Sequence, residues 1–193
     1  MDADSHPSMT EAEYLEYDRT HEGKHEYVNG ELVAMFGVTS AHDAIQMNLS
    51  IGIGYRLRGT PCRPHGPDLR VRIDETGLYA YPDLSVHCGA AEFAPTNPET
   101  LLNPKVIVEV LSKSTETYDR GAKASHYRHR ASMEAVLLVD SRRRLVEVQT
   151  RNADGSWLLT EVTTGDLRIA ALGVAIPLDE IYEGVEGLAS ATG

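Results

Sequence analysis

In the run Val106-Ile107-Val108-Glu109-Val110-Leu111, one carboxylate interrupts an otherwise apolar segment. An extended chain sends alternate side chains to opposite faces, so Val106, Val108 and Val110 share one face and Ile107, Glu109 and Leu111 the other. A strand that is apolar on both faces is central and covered. An ionised carboxylate there costs several kcal/mol unless a cation or hydrogen-bond donors meet it. The same alternation in Pro82-Asp83-Leu84-Ser85-Val86-His87-Cys88 separates Leu84, Val86 and Cys88 from Asp83, Ser85 and His87, so Asp83 heads a polar face.

If these two strands are neighbours, Asp83 and Glu109 converge. Two close carboxylates repel unless a divalent metal or a shared proton intervenes, and ligands that are all oxygen favour magnesium or manganese. A second reading fits the same residues, with Glu109 the buried partner of an arginine and Asp83 a turn residue after proline.

On the segment that follows, Lys123, His126, Tyr127 and Arg130 recur at helical spacing and form one polar, basic stripe. Adjacency to Glu109 gives the stripe a functional reading. Taken alone it reads as a solvated face, with Asp119 and Lys123 a surface pair worth about 0.3 kcal/mol.

The elements that must hold these residues can be read from period and punctuation. Thr10 before Glu11 and Glu13 starts a short helix reaching about Arg19, and Asn29-Gly30 joins strands at Tyr27-Val28 and Glu31–Phe36 as a tight hairpin. Ser40, with Asp43 three residues on, caps a longer helix to Arg58. Beyond a loop over 59–67, strands at Leu69–Ile73, Tyr81–Cys88 and Lys105–Leu111 suggest an antiparallel meander, its last two members joined by a long loop over 89–104. A helix within 114–130 followed by a strand at Ala135–Asp140 makes a crossover, so that strand runs parallel to the Glu109 strand. A hairpin pairs Leu145–Thr150 with Trp157–Thr163, and an apolar segment from Val174 to Tyr182 closes the fold. The fold class is α/β with a mixed sheet flanked by helices. Residues 9–185 read as a single domain, with flexible ends at 1–8 and 186–193.

The 193 residues carry 18 Lys plus Arg against 29 Asp plus Glu, a net charge of -11. That balance argues against a broad basic surface for polyanions and leaves room only for local nucleic-acid contact. No stretch approaches the ~20 apolar residues of a membrane span, and the first residues have no signal-peptide pattern, which points to the cytoplasm. In that reducing compartment Cys62 and Cys88 are expected as free thiols. A zinc site from Cys62 with His65 and His87 with Cys88 is disfavoured, because adjacent strand residues point to opposite faces.

Three blocks together, Tyr81-Pro82-Asp83, Asn103-Pro104-Lys105-Val106-Ile107-Val108-Glu109-Val110-Leu111-Ser112 and Tyr118-Asp119-Arg120-Gly121-Ala122-Lys123, resemble the Uma family of restriction endonucleases, placed in the PD-(D/E)xK nuclease superfamily. The resemblance runs from about Met9 to Glu183 and includes Glu26-Tyr27-Val28-Asn29-Gly30-Glu31-Leu32 and the Ser40–His42 step. It implies a restriction-endonuclease-like core in which Asp83 and Glu109 are metal ligands. The chain departs from the superfamily motif where Leu111 occupies the lysine position, and the resemblance supplies the lysine from the next helix, Lys123. Lys113, where family members usually carry proline, is a second candidate lysine that would share the Glu109 face if the strand continued. Glu26, His42 and Asp68 match recurring positions and, with Tyr127 from the stripe, are second-tier site residues. Taken alone, His42 reads equally as a capping or partly buried histidine, and Glu26 as a surface charge.

The resulting expectation is a magnesium- or manganese-dependent endonuclease acting on DNA, working as a homodimer with the 145–163 hairpin as one candidate contact. The alternative is a catalytically silent nuclease-fold module that binds nucleic acid or protein, which the acidic balance supports.

Overall fold

A computed structural model describes residues 8–35, 39–95 and 97–185. The ends expected to be flexible, apart from Ser8, and Phe36 of the expected hairpin lie outside the described residues.

The chain begins with α1 (Glu11–Thr20), β1 (His25–Val28), β2 (Glu31–Ala34) and α2 (Ser40–Arg56). Thr10 and Glu13 form a reciprocal capping box at the start of α1. Asn29 and Gly30 take φ of 49° and 98°, the two positive values that a two-residue hairpin of this hand requires. Then come β3 (Cys62–His65), β4 (Arg70–Ile73), β5 (Leu78–Ala80), β6 (Leu84–Cys88), β7 (Phe93–Ala94), β8 (Asn97–Leu101) and β9 (Val106–Leu111). A broken helix follows: α3 (Glu116–Tyr118), a π-helical turn over Asp119–Lys123, and α4 (Ala124–His129). The chain closes with β10 (Ala135–Asp140), β11 (Val146–Arg151), β12 (Trp157–Val162), β13 (Asp166–Ile169), β14 (Val174–Pro177) and α5 (Leu178–Ile181).

Two six-stranded sheets result. The central one runs β12-β11-β10-β9-β6-β3, and the other runs β2-β1-β5-β4-β8-β7. The central sheet is mixed: β9 and β10 are parallel with Val106 opposite Ala135, as the crossover demands, while β6 meets β9 antiparallel with Leu84 opposite Val108. The faces of β9 divide as its alternation dictates. Val106, Val108 and Val110 pack with Ile45, Leu49 and Ile53 of α2 and with Leu178 and Ile181 of α5. Ile107 and Leu111 pack with Val71, Ile73 and Leu78 of the other sheet and with Ala124 and Tyr127 of α4. All six residues of β9 are buried, which is the setting inferred for Glu109.

Several expectations are corrected. The strand expected over 81–88 begins only at Leu84: Tyr81-Pro82-Asp83 is the break between β5 and β6, which lie in different sheets, since proline lacks the N–H a ladder needs and the chain changes sheet there. The meander is therefore absent, because β4 and β5 pair in one sheet and β6 and β9 in the other. The loop expected over 59–67 contains β3, and the long loop over 89–104 contains the β7–β8 pair. The cap of α2 is Thr39, whose hydroxyl accepts from the His42 N–H, one residue before Ser40. Cys62 and Cys88 are not free thiols. They face each other across the β3–β6 ladder and form a disulfide. Spacing along the chain could not reveal this, because the pairing depends on β3, whose short segment between Gly59 and Pro67 reads as loop in the sequence. Among the described residues no helix is long and apolar enough to cross a membrane.

Candidate active site

Glu109 sits on the covered centre of β9 and is 4% exposed. Its Oε1 accepts from the Tyr127 hydroxyl at 2.6 Å and lies 2.9 Å from Lys123 Nζ. Burial and the neighbouring Asp119, Asp83 and Glu26 push its carboxyl up to about 8, against the opposing pull of Lys123. The partner foreseen as an arginine is therefore a lysine together with a tyrosine.

Asp83 stands one residue beyond the β6–β9 ladder, whose register ends with Leu84 opposite Val108. At that point the Val110 N–H has no partner on β6, and Asp83 Oδ2 accepts from it at 2.6 Å. The side chain thus completes what the backbone ladder leaves open. His42, in the first turn of α2, places Nε2 3.3 Å from the same oxygen, and Gln46 one turn on donates to the Asp83 carbonyl at 3.1 Å.

Lys123 is brought inward by the π-helical turn, a feature that often marks functional sites. Its Nζ lies 2.8 Å from Glu26 Oε1 and 3.8 Å from Asp119 Oδ1. Burial opposes the charge, but Glu109, Glu26 and Asp119 outweigh it and hold the ammonium well above its usual range. Asp119 is itself buried, so the pair expected on the surface is interior. A helical period cannot say which face a second sheet will cover. Burial, only partly offset by Lys123, raises the Asp119 carboxyl.

Glu26 is fixed from β1. It is buried, and its Oε1 also accepts the Tyr81 N–H at 3.1 Å, tying the N-terminal hairpin to the break before Asp83. Read in the sequence as a possible surface charge, it is buried because β1 pairs with β5 and brings the hairpin over the site.

These groups line one cavity of about 150 Å³, with Glu26, His42, Asp83, Glu109, Asp119 and Lys123 on its wall. Tyr127 braces Glu109 from beneath. Lys113 is exposed, is not among the lining residues, and lies past the end of β9, so the strand does not carry it onto the Glu109 face. Asp68 is also away from the cavity: its exposed carboxylate pairs with Lys24 at 2.6 Å. His65 and His87 stack on each other at 5.0 Å between centroids, on the face of the β3–β6 pair opposite the disulfide, as strand alternation requires. Asp119, Tyr118, Tyr81, Ser112 and Thr115 join the cavity wall without having been read as site residues. All but Thr115 stand in the blocks that carry the family resemblance, and Asp119 also keeps helical spacing to Lys123.

Four carboxylates around one ammonium leave the cavity acidic, and a hard cation held by Asp83 and Glu109 fits that donor set. Among the described residues no group of three or more His, Cys, Asp or Glu is arranged as a metal centre. Two carboxylates are nevertheless the usual protein share of a magnesium shell, the rest being water and substrate phosphate. The Tyr118 hydroxyl and His42 Nδ1, both of cavity residues, are buried without hydrogen-bond partners among the described residues.

The chain is similar to several known proteins. Uncharacterized protein slr1290 of Synechocystis sp. is 34% identical over 180 residues, covering 93% of this chain and 94% of the relative. Uncharacterized protein sll1609 of the same organism is 30% identical over 154 residues, covering 80% and 87%. A crystal structure described as "a putative nuclease belonging to DUF820 from Anabaena variabilis" superposes with a TM-score of 0.71 at 16% identity, over 89% of this chain and 96% of that one, and shows the shared fold. The profile of the Uma2 family, described as "Putative restriction endonuclease", matches residues 11–179, and the chain belongs to that family.

Proposed function

We propose that this protein is a metal-dependent endonuclease that hydrolyses phosphodiester bonds in DNA. The observation that carries the reading is the convergence of Asp83 and Glu109, from adjacent strands, on a cavity that also holds the buried ammonium of Lys123. Asp83 and Glu109 would hold the magnesium or manganese ion. When bound, that ion supplies electrophilic activation of the phosphate and of a water molecule.

The remaining chemistry belongs to the chain. Lys123 stays protonated, so it neutralises charge that develops on the phosphate and orients water, rather than accepting a proton. Glu26 and Asp119 fix its position, and Tyr127 fixes that of Glu109. His42 and the Val110 N–H hold Asp83 with one oxygen engaged.

The test is cleavage of duplex and single-stranded DNA with magnesium or manganese. Wild-type cleavage that is lost in Asp83→Ala and in Glu109→Gln supports the proposal. Cleavage that both substitutions leave intact overturns it.

The rival, a catalytically silent module, draws support from the acidic balance and from Lys123, which already engages Glu109 as it would in a purely structural cluster. Failure to bind manganese at millimolar concentration would favour it. We also infer a homodimer. Leu158 and Leu159, exposed on the outer strand of the central sheet, support the 145–163 hairpin as the contact with a second copy, and sedimentation velocity tests it.

A further inference from the structure

β10 ends with Asp140 at the register position opposite Leu111, the last residue of the Glu109 strand. The next residue, Ser141, donates its N–H at 3.2 Å and its hydroxyl at 2.6 Å to the Leu111 carbonyl. The turn between β10 and β11 is thereby fastened beside the loop that leaves β9, and Ser112, Ser114 and Thr115 of that loop line the cavity.

In a chain of net charge -11, this turn reads Arg142-Arg143-Arg144, and the adjoining loop carries Lys113. Lys113 is exposed and has no ion-pair partner among the described residues. Asp140, fully buried, anchors two of the arginines: Oδ1 accepts the Arg142 N–H at 2.9 Å and its Nε at 3.2 Å, and Oδ2 accepts Arg143 Nε at 3.0 Å. Arg142 also reaches Glu116, and Arg144 reaches the exposed Asp179. Held through Nε, Arg143 has a side chain 49% exposed, with no partner for its terminal N–H groups among the described residues. Such pre-set guanidiniums lose little freedom on meeting a phosphate. The other dense basic stretch, Arg128–Arg130, lies at the far end of the crossover, and its Arg130 is occupied by Asp74 and Glu75.

We propose that Lys113 and the Arg142–Arg144 turn form the surface along which the phosphate backbone of a nucleic acid runs into the cavity. The proposal rests on the nuclease reading for where the strand leads, but contact with the backbone needs no cleavage. It also reconciles an acidic protein with a polyanionic substrate, because the contact is local and adjoins the loop whose Ser112, Ser114 and Thr115 line the cavity.

The test is fluorescence anisotropy of labelled duplex and single-stranded DNA of equal length on the full chain, without divalent metal, across a salt series. The triple variant Lys113→Ala, Arg143→Ala, Arg144→Ala should bind about tenfold or more weakly, and the slope of log affinity against log salt should shrink by about 2 to 3. The exchange Lys113→Arg, Arg143→Lys, Arg144→Lys should restore the slope. The pair Arg58→Ala, Arg168→Ala, exposed elsewhere, should leave both quantities near wild type. Wild-type affinity and slope in the triple variant, or no DNA binding by the wild type, would overturn the proposal. Asp83→Ala, assayed in parallel, separates the two readings. If neither the wild type nor Asp83→Ala cleaves, or both cleave alike, while the triple variant loses binding, the surface stands and the hydrolytic site built on Asp83 falls. If Asp83→Ala abolishes cleavage while the triple variant binds normally, the surface falls alone.

Discussion

Lys123 Nζ lies 2.9 Å from Glu109 Oε1, both groups almost fully buried, and it reaches there from a π-helical turn rather than from β9. In the nuclease reading proposed above, Lys123 would stand in for the lysine that the superfamily motif places two residues after the acid, where this chain has Leu111 packed in the core. The same ammonium holds Glu26 from the first hairpin, so one cation ties three elements together.

Lys123→Met should destabilise the fold by about 3 to 5 kcal/mol, because it strands buried carboxylates without their counter-charge. Urea unfolding at neutral pH measures it. The loss should grow as pH rises through about 8, where the Glu109 carboxyl ionises and most needs its counter-charge, and a loss equal on both sides of that value would argue against the charge mechanism.

Glu109 carries a pH signature. Its folded carboxyl is raised from the ordinary 4.5 to about 8 by burial and neighbouring acids, so between those values the folded state binds a proton that the unfolded chain has released. Its contribution to stability is complete below about 4.5 and declines as pH rises through about 8. Glu109→Gln should flatten the profile of melting midpoint against pH in that window; parallel profiles would refute the assignment.

Tyr127→Phe removes the 2.6 Å donor to Glu109 and leaves the packing of the ring in place. The expected cost is about 1 to 3 kcal/mol in chemical denaturation. The Glu109 carboxyl should rise further, extending its proton-bound range.

Magnesium should raise the melting midpoint of the wild type, since a ligand that binds only the folded state stabilises it by about 2.7 kcal/mol at a hundredfold excess over Kd. Asp83→Asn and Glu109→Gln should lose that shift. Its retention in both variants would place any metal elsewhere.

Titration of unfolded, unreduced protein with a thiol reagent should find no free thiol. Replacing both Cys62 and Cys88 by Ala should lower stability by about 3 kcal/mol, the scale of loop-closure entropy for a bridge of this span. Two titratable thiols would contradict the pairing.

Much of the site was legible along the chain. Strand alternation placed Glu109 on a covered face and Asp83 at the head of a polar one, and the crossover made β9 and β10 parallel, because side-chain direction and connection length are local properties. Asn29-Gly30 announced its hairpin for the same reason. The family resemblance pointed to Lys123, and the structure brings that residue against Glu109.

What only the tertiary structure decided is what covers what. The division at Tyr81-Pro82-Asp83, the burial of Glu26 and Asp119, the short strands β3, β7 and β8, and the Cys62–Cys88 pairing all depend on a second sheet and on ladders between distant segments. No local period records those neighbours. A carboxylate reads the same in sequence whether water or Lys123 meets it; only the packing of β1, β9 and the π-helical turn turns those charges into one site.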